Sequence, residues 1–439
     1  MDNLPGVAPH TIKYEKLYEE TPIYPKKAPK YLIKVEETRD EKIARFAAYT
    51  LTFFVVLAVI ICIPLLISII SSALQSCKLE FPSINEQALF NIQTESIGNN
   101  NKEGCDMPQE FFDEMNDRFA DFVIDYGKCY ENLEEVKYRQ EIFEYNVKKI
   151  EKMNNQNKVS GKVLGVNFYA DWSEEEFSET MVMKVHDYSS LKKSNDSFVK
   201  QLPADWVNER AANGEGPLPE YFDWREKGVV TPVRCQKKCG LCYGFASVAT
   251  MEANYAIVSG NLRNFSEQEI LDCNLENNGC NGGEPYLVYK FVHDHGMVTA
   301  EDYPYVAHRQ NSCALNPKSE RAYVQTAVYL HPDEDSMLDW LFYYGPITVN
   351  IAVPKSMKEY TSGVYSPNDY ECEYEVLGLH SLTVVGYGTE VDGEKYWIVK
   401  NSWNGRWGEE GYVRFARGRN ACGIEHEPIG IIMKKGMSK

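Results

Sequence analysis

A cysteine, a histidine and an asparagine in this chain of 439 residues suit nucleophilic catalysis by their types and their order. His380 follows Cys242 by 138 residues, and Asn401 follows His380 by 21. A thiol attacks a carbonyl carbon as the thiolate, and a neighbouring imidazole can take its proton and later give it to a leaving group. A side-chain amide can hold that imidazole in the productive orientation. The three residues therefore predict acyl transfer through a covalent acyl-enzyme.

Particular elements must position these groups. A helix over the residues that follow Cys242 would place the thiol at its N-terminus, where unpaired N–H groups and the helix dipole favour negative charge. His380 beside that thiol would complete a thiolate–imidazolium pair. We therefore expect a helix to begin at Cys242 and a separate element to carry His380.

The sequence around these residues resembles that of papain and the cathepsins. Residues 239–243, Cys-Gly-Leu-Cys-Tyr, fit four of the five positions of the pattern C-G-[SA]-C-[WY], whose His and Asn partners lie about 130–150 residues downstream. His380 stands in Gly-Leu-His-Ser, and Asn401 stands in Lys-Asn-Ser-Trp. The chain is therefore similar to the papain family of cysteine proteases.

The resemblance implies a role for each residue. Cys242 is the nucleophile, His380 is its proton partner, and Asn401 orients His380. Gln236 and the backbone N–H of Cys242 would form the oxyanion hole. Trp403 would cover the hydrogen bond between Asn401 and His380 and keep water away from it.

Two other interpretations remain open. Cys239 and Cys242 have the spacing of a redox or zinc half-site, although no second such pair and no thioredoxin-like pattern accompanies them. A catalytically weak or inactive binding protein, tethered to the membrane, would also keep much of the pattern. Departures near the nucleophile favour such a protein, because Lys237 replaces a small residue, Leu241 replaces Ser or Ala, and Cys235 stands where Asn is common.

A second resemblance lies upstream. Residues 108–154 have helical character, and six of them recur at spacings of 4, 4, 3, 4 and 4, which keeps them on one helical stripe. They match in order the E-R-F-N-I-N pattern of cathepsin L-like propeptides: Glu135, Arg139, Phe143, Asn146, Ile150 and Asn154. Residues 165–171 resemble the G-x-N-x-F-x-D element, with Tyr169 in place of Phe. An ordinary amphipathic helix would explain the spacing alone, but both matches together imply a propeptide that acts as an intramolecular inhibitor.

The resemblance also implies how the zymogen is activated. The propeptide would run through the cleft backwards until acid loosens it, at about pH 4–5, where Asp and Glu titrate. We expect cleavage between Val207 and Leu218, by the enzyme itself or in trans.

Residues 46–74 contain no charged side chain. About 20 apolar residues suffice to span a bilayer. Nine Lys and Arg precede the segment in residues 1–45, against two between residues 77 and 104, so the positive-inside rule places the N-terminus in the cytosol. We therefore expect a single-pass type II membrane protein whose catalytic domain is lumenal or extracellular, and endosomal or lysosomal after processing. A soluble secreted enzyme with a cleaved signal is the alternative.

These observations divide the chain into five segments. They are a cytosolic tail (1–45), a transmembrane signal anchor (46–74), a lumenal stalk (75–107), an inhibitory propeptide (108–213) and a papain-like catalytic domain (214–439). The implied fold class is α+β, a papain-like two-lobe fold preceded by a helical propeptide and a single transmembrane helix. Its helical left lobe carries Cys242, and its β-barrel-like right lobe carries His380 and Asn401, with the cleft between them.

Composition narrows the range of partners. A net charge of −18 argues against a nucleic-acid partner, and 44% hydrophobic residues support substantial cores. The expected partners are polypeptide substrates, the chain's own propeptide and the lipid bilayer through residues 46–74. No cofactor and no metal is expected.

Eight of the 12 cysteines lie between Cys235 and Cys422. The resemblance implies three disulfides, which require an oxidising compartment: Cys239–Cys280, Cys273–Cys313 and Cys372–Cys422. Cys235 is left over, and it is free, pairs with a propeptide or stalk cysteine, or links two chains. Glycosylation sequons at Asn195 and Asn264 fall on the expected lumenal side.

Between residues 280 and 347 the chain has no long insertion of the kind that blocks the cleft in exopeptidases, so we expect an endopeptidase. His293 and His295 are expected at the end of a surface helix. Colinear extension of the resemblance places six residues at the main specificity pocket: Gly282, Gly283, Glu284, Pro285, Asn350 and Glu427. Glu427 at its base would let the pocket accept Arg or Lys as well as bulky apolar side chains, because a buried carboxylate gains from a partner.

Overall fold

The computed structural model describes residues 107–156, 163–183, 197–202 and 217–438. The predicted cytosolic tail, the predicted span at 46–74, nearly all of the stalk, the sequon at Asn195 and most of the predicted cleavage region lie outside them. In the part of the chain that is described, no helix is both long enough and apolar enough to cross a membrane.

The propeptide is mainly helical. Its second helix begins where the Asn116 side chain accepts a hydrogen bond from the backbone of Phe119, and it ends at Gly127, whose φ of 57° suits glycine. Phe119, Phe122 and Phe143 form its core, with ring centroids 4.8 to 5.9 Å apart. The helices are α1 (Gln109–Asp113), α2 (Asp117–Tyr126), α3 (Leu133–Gln156) and α4 (Glu174–Thr180).

Helix α3 confirms the helix predicted across the six-residue stripe. The stripe faces the chain that follows α3. Arg139 Nη1 lies 2.8 Å from Glu176 Oε2 of α4. Asn146 Nδ2 donates to the backbone carbonyls of Ala170 and Trp172, at 2.8 and 2.9 Å. The polar members of the stripe therefore fix the long helix to the end of the G-x-N-x-F-x-D segment and to α4, which follows it.

Three helices form the first half of the catalytic domain. They are α5 (Cys242–Ser259), α6 (Glu267–Cys273) and α7 (Pro285–His295). Helix α5 is buried along almost its whole length, which its many small and apolar residues permit. Helix α7 ends at His295, which confirms that His293 and His295 occupy a helix end. Among the described residues, no group of three or more His, Cys, Asp or Glu could hold a metal ion.

The second half of the catalytic domain is rich in strands. Of the strands in the described residues, the first two belong to the propeptide and the others to the catalytic domain. In chain order they are β1 (Val163–Leu164), β2 (Val199–Gln201), β3 (Phe222–Asp223), β4 (Val324–Tyr329), β5 (Ile347–Pro354), β6 (Tyr360–Ser362), β7 (Val364–Tyr365), β8 (Val376–Thr389), β9 (Lys395–Lys400), β10 (Tyr412–Ala416) and β11 (Ile429–Met433). Helices α8 (Glu334–Tyr343) and α9 (Asp369–Tyr374) lie between them in the chain.

Nine of these strands form one sheet, in the order β2-β4-β11-β5-β8-β9-β10-β7 with β3 paired to β8. His380 lies within β8, opposite Ile351 of β5. On the other side of β8, Thr383 pairs with Lys400 of β9. Asn401 directly follows β9, so this register carries it towards His380.

The propeptide joins the catalytic domain through its backbone. Strand β1 pairs with β6, and β2 extends the large sheet at β4. Met183 forms an isolated antiparallel bridge with Leu379, the residue before His380. Paired strand edges no longer offer free N–H and C=O groups to another chain. The propeptide thus covers the cleft as part of the fold.

Candidate active site

Cys242 is the first residue of α5, which confirms the helix predicted after it. Its side chain is fully buried, and the backbone N–H of Ser381 faces its sulfur. Burial raises the pKa of the thiol to about 12, and the nearby N–H groups oppose that rise only in part. With the propeptide in place, burial therefore favours the neutral thiol of Cys242.

His380 and Asn401 form a direct hydrogen bond. His380 Nε2 lies 2.8 Å from Asn401 Oδ1, and since an amide oxygen only accepts, Nε2 carries the proton. Burial lowers the pKa of His380 to about 4, although the bond to Asn401 opposes the shift. The buried Nδ1 has no hydrogen-bond partner among the described residues. Nδ1 is thus the nitrogen available to exchange a proton with Cys242.

Trp403 covers this pair. Its ring centroid lies 4.6 Å from that of His380, and its side chain is fully buried. Trp407 packs on it at 4.9 Å, and Phe177 of the propeptide packs at 4.8 Å. A hydrogen bond shielded from water by packed aromatic rings is electrostatically stronger than the same bond in solvent.

Gln236 is fully buried with its amide held in one orientation. Ser402 Oγ donates to Gln236 Oε1 at 2.6 Å. Gln236 Nε2 donates to the propeptide carbonyl of Met181 at 3.1 Å and to the carbonyl of Cys239 at 3.0 Å. An oxyanion hole requires a donor placed in advance, and this amide meets that requirement.

The unusual neighbours of Gln236 are accommodated by the fold. Lys237 has a φ of 53°, which lies in the left-handed region that glycine adopts most readily. Leu241 is fully buried against Gly244, where an added Cβ would lie 3.0 Å from Leu241 Cγ. Gln236 keeps all the hydrogen bonds described above beside both residues.

Cys235 and Cys242 are the free cysteines of the described residues. Cys235 is half-buried, and its thiol is hydrogen-bonded to Tyr169 of the propeptide. The hydroxyl of Tyr169 also donates to the carbonyl of Trp403, at 3.2 Å. Of the three states expected for Cys235, the structure has the free thiol. The two residues that depart from the family pattern, Tyr169 and Cys235, are therefore neighbours in the structure.

Residues 181–183 contact both walls of the cleft, and the sequence alone did not single them out. Met183 exchanges two backbone hydrogen bonds with Leu379, at 2.7 and 3.0 Å. A Cβ added to Gly378 would lie 2.6 Å from Val182 Cγ2, and one added to Gly282 would lie 3.2 Å from Met183 Cβ. Backbone pairing depends little on side-chain identity. The sequence features that could have indicated this contact were the two glycines, Gly378 and Gly282, one on each wall of the cleft.

The predicted pocket residues lie in three places. Glu284 precedes α7, Pro285 is its first residue, and Gly282 and Gly283 lie just upstream. Asn350 of β5 accepts a hydrogen bond at 2.6 Å from Ser381, which follows the histidine. Glu427 lies between the third disulfide and β11, 3.9 Å from His426. The structure thus brings Asn350 next to Ser381, the residue after His380, and the role of Glu427 stays a prediction.

Within residues 217–438 the structure joins six cysteines in three disulfides, as the resemblance implies: Cys239–Cys280, Cys273–Cys313 and Cys372–Cys422. The first of these bonds attaches the loop before Cys242 to the segment that contains Gly282. Asn264, the sequon asparagine within the described residues, is exposed.

Comparisons with known proteins agree with this geometry. Residues 218–432 match the papain family of cysteine proteases, and residues 119–177 match the cathepsin propeptide inhibitor domain (I29). Fruit bromelain of Ananas comosus is 35% identical over 332 residues, which cover 74% of this chain and 88% of bromelain. Cathepsin L of Sarcophaga peregrina is 37% identical over 324 residues, which cover 71% of this chain and 91% of that protein.

The fold has solved counterparts as well. The structure of digestive procathepsin L2 from Tenebrio molitor larval midgut superposes with a TM-score of 0.64 at 28% identity. The match covers 72% of this chain and 98% of that one. The papain-like α+β fold with its propeptide is therefore confirmed. The chain belongs to the papain family, and it is a cysteine endopeptidase made as a zymogen with an I29 propeptide.

Proposed function

We propose that Cys242 cleaves peptide bonds as a thiolate paired with the imidazolium of His380. The observation that carries this proposal is the hydrogen bond of 2.8 Å between His380 and Asn401, which fixes the orientation of the ring. The backbone N–H of Ser381, the residue after His380, faces the sulfur of Cys242, the first residue of α5. The buried ring of Trp403 over His380 supports the same assignment. Asn401 orients the ring and stays neutral throughout.

The chemical steps follow from these positions. The sulfur of Cys242 bonds to the carbonyl carbon, and the resulting oxyanion accepts hydrogen bonds from Gln236 Nε2 and the Cys242 backbone N–H. The C–N bond breaks as His380 Nδ1 gives its proton to the leaving amine. Water then attacks the thioester and passes a proton to His380, and the thiolate leaves as the carboxylic acid product forms.

We further propose that residues 181–183 inhibit the enzyme by occupying the cleft. The Met181 carbonyl accepts the hydrogen bond of Gln236 that a reacting carbonyl would need. Met183 pairs with the backbone N–H and C=O groups of Leu379 through two hydrogen bonds. A substrate cannot make either contact until this segment leaves.

Membrane attachment is also part of the proposal. The uncharged segment 46–74 and the excess of Lys and Arg before it support a type II orientation, with glycosylation at Asn195 and Asn264 in an endosomal or lysosomal lumen. Alkaline carbonate extraction tests attachment, and an antibody to residues 1–45 tests whether the tail stays on the membrane-bound form. Release of the zymogen into the alkaline supernatant would overturn attachment and leave the catalytic proposal intact.

Active-site labelling tests the catalytic proposal. We expect an epoxide or vinyl sulfone inhibitor to label the acid-activated protein on Cys242, and Cys242→Ser to abolish the label. Cys235→Ser is the matched control, because it removes the other free thiol of the described residues. Label on Cys235, or equal label in Cys242→Ser, would contradict the proposal.

Acid activation should depend on Glu174. Its carboxylate lies 2.6 Å from Lys149 of the propeptide and 3.0 Å from Lys355 of the catalytic domain. Burial alone would raise the pKa of Glu174, but these partners lower it below 4.5. Its contribution to closure is therefore present above pH 4.5 and lost as the pH falls through the lowered pKa.

We accordingly expect Glu174→Gln to activate about two- to fivefold faster than the wild type at pH 5.5, which corresponds to a partly exposed ion pair of about 0.5–1 kcal/mol. The two proteins should converge at pH values below the lowered pKa. Conversion is measured by gel at a series of pH values. Glu175→Gln is the control, since Glu175 is exposed. Equal half-times for Glu174→Gln and the wild type at pH 5.5 would contradict the assignment.

A further inference from the structure

A cavity of about 550 Å³ lies between the propeptide and the catalytic domain, on the side of the oxyanion donor. The propeptide lines it with three aromatic rings and Met181, the residue whose carbonyl accepts from Gln236. The catalytic domain lines it with residues from two separate loops: Cys235, Lys237, Lys238, Asn404, Gly405 and Arg406. The first loop carries the oxyanion residue, and the second follows Trp403 directly.

The two sources of lining differ in charge. The propeptide side is apolar or aromatic, whereas the catalytic side includes Lys237, Lys238 and Arg406 and, among the described residues, no carboxylate. Cutting the propeptide removes the rings and leaves the three cations on the wall of the open cleft. The charge of this group is opposite in sign to the net charge of the whole chain, which is −18.

The position of the cavity relates it to the reaction. His380 gives its proton to the amine that leaves, and Trp403 covers His380. Asn404 to Arg406 continue the chain from Trp403, and Tyr169, which donates to the Trp403 carbonyl, forms part of the cavity wall. The cavity therefore lies on the leaving-group side of the scissile bond.

The propeptide already places acceptor groups near these cations. Arg406 Nη1 donates to the backbone carbonyl of Asp125, at 3.3 Å. Lys238 Nζ lies 5.5 Å from the centre of the Trp172 ring. Burial alone would raise the pKa of Glu176, but Arg139 and, more weakly, Lys238 lower it. Both cations thus have a polypeptide ligand in the zymogen.

We propose that Lys237, Lys238 and Arg406 form a subsite that selects acidic side chains two or three residues after the scissile bond. The inference rests on the catalytic proposal and names its substrate class. A carboxylate in the open cleft is attracted by three like charges that no acidic neighbour on the cavity wall neutralises. Partial shielding from water by the cleft walls strengthens that attraction.

Matched peptides test the subsite. The full-length protein, solubilised in detergent and activated at acid pH, is given three quenched fluorescent peptides that differ only in having Glu, Gln or Lys at the second and third positions after the bond. We expect kcat/KM for the Glu peptide to exceed that for the Lys peptide about tenfold in low salt. Because salt screens exposed charges, the ratio should shrink in 0.5 M NaCl, where the Debye length is about 4 Å.

Variants assign the effect to particular side chains. In Lys238→Gln combined with Arg406→Gln, the Glu to Lys ratio should fall to about twofold or less, and Lys238→Arg should keep the wild-type ratio. Lys318→Gln is the matched control, because Lys318 is exposed and is not part of the cavity wall. A ratio near one in the wild type would overturn the subsite while leaving the catalytic proposal standing. A wild-type ratio that the double variant keeps would overturn the assignment to these cations, and a wild type that cleaves none of the peptides would overturn the catalytic proposal as well.

Discussion

Replacing His380 with Ala in the activated enzyme should lower kcat/KM by about 10³- to 10⁴-fold, as loss of one member of such a catalytic set does in related chemistry. Without the imidazole, the thiol loses the partner that stabilises its thiolate, and the leaving amine loses its proton donor. The residual rate should rise with pH as Cys242 ionises on its own, whereas the wild type should be active on the acid side of neutrality. Peptide hydrolysis across a pH series measures both effects.

Two further variants and a control show whether the effect of His380→Ala is specific to catalysis. The double variant Cys242→Ser, His380→Ala should be no slower than either single variant, because the two groups act as one unit. Asn401→Ala should cost only about 10²-fold, since it removes the orientation of the ring and keeps the ring itself. His308→Ala, at an exposed histidine, is the control for unspecific loss. A His380→Ala enzyme that retains more than a tenth of wild-type kcat/KM would remove His380 from the mechanism.

The proposed catalytic residues stand out in the sequence because the chemistry requires one residue type at each position. Nucleophilic attack by sulfur requires Cys242, and proton transfer at neutral pH suits His380. The short motifs around them reflect the helix start and the strand that hold them. The structure adds the spatial relation, a distance of 2.8 Å between His380 and Asn401, which follows from the pairing of β8 with β9.

The path of the propeptide was not predictable in the same way. Residues 181–183 bind through backbone groups, which every residue except proline presents alike. The motif residue Asn167 shows the intermediate case. Its Nδ2 donates to the carbonyls of Lys358 and Tyr360, at 2.7 and 3.2 Å, so the motif indicated an important side chain but not its partners.

The cationic wall arises from tertiary structure alone. Lys237 and Lys238 lie about 170 positions before Arg406, and single lysines near a motif look like departures from a family pattern. Only the cavity shows that all three line one space. Lys237, which departs from the family pattern beside Gln236, is thus a candidate contact for substrate.

The Cys242 thiol of the intact zymogen should be about a thousandfold less reactive towards iodoacetamide at pH 7 than an ordinary cysteine. Burial raises its pKa from 9.0 to about 12, and each pKa unit above the working pH lowers the thiolate fraction about tenfold. The same burial lowers the pKa of His380 to about 4, so in the zymogen burial favours the neutral thiol and imidazole over the thiolate–imidazolium pair. Loss of residues 181–183 admits water and removes part of this desolvation, so the thiolate–imidazolium pair becomes accessible.

The pH profile separates ionisation from mere blockage. If blockage alone slows alkylation of the zymogen, its rate should level off above about pH 9, as it does for an ordinary thiol of pKa about 8.5. If the raised pKa is the cause, the rate should keep rising about tenfold per pH unit up to pH 10 or beyond. Mass spectrometry of the peptide that contains Cys242 measures the rate, with the same chain unfolded in guanidinium as the reference. After activation, the rate should become nearly independent of pH from about pH 5 to 8, because His380 then carries the proton that Cys242 has lost. A zymogen that alkylates at Cys242 as fast as the unfolded chain at pH 7 would show that the propeptide holds back substrate without changing the charge of the catalytic pair.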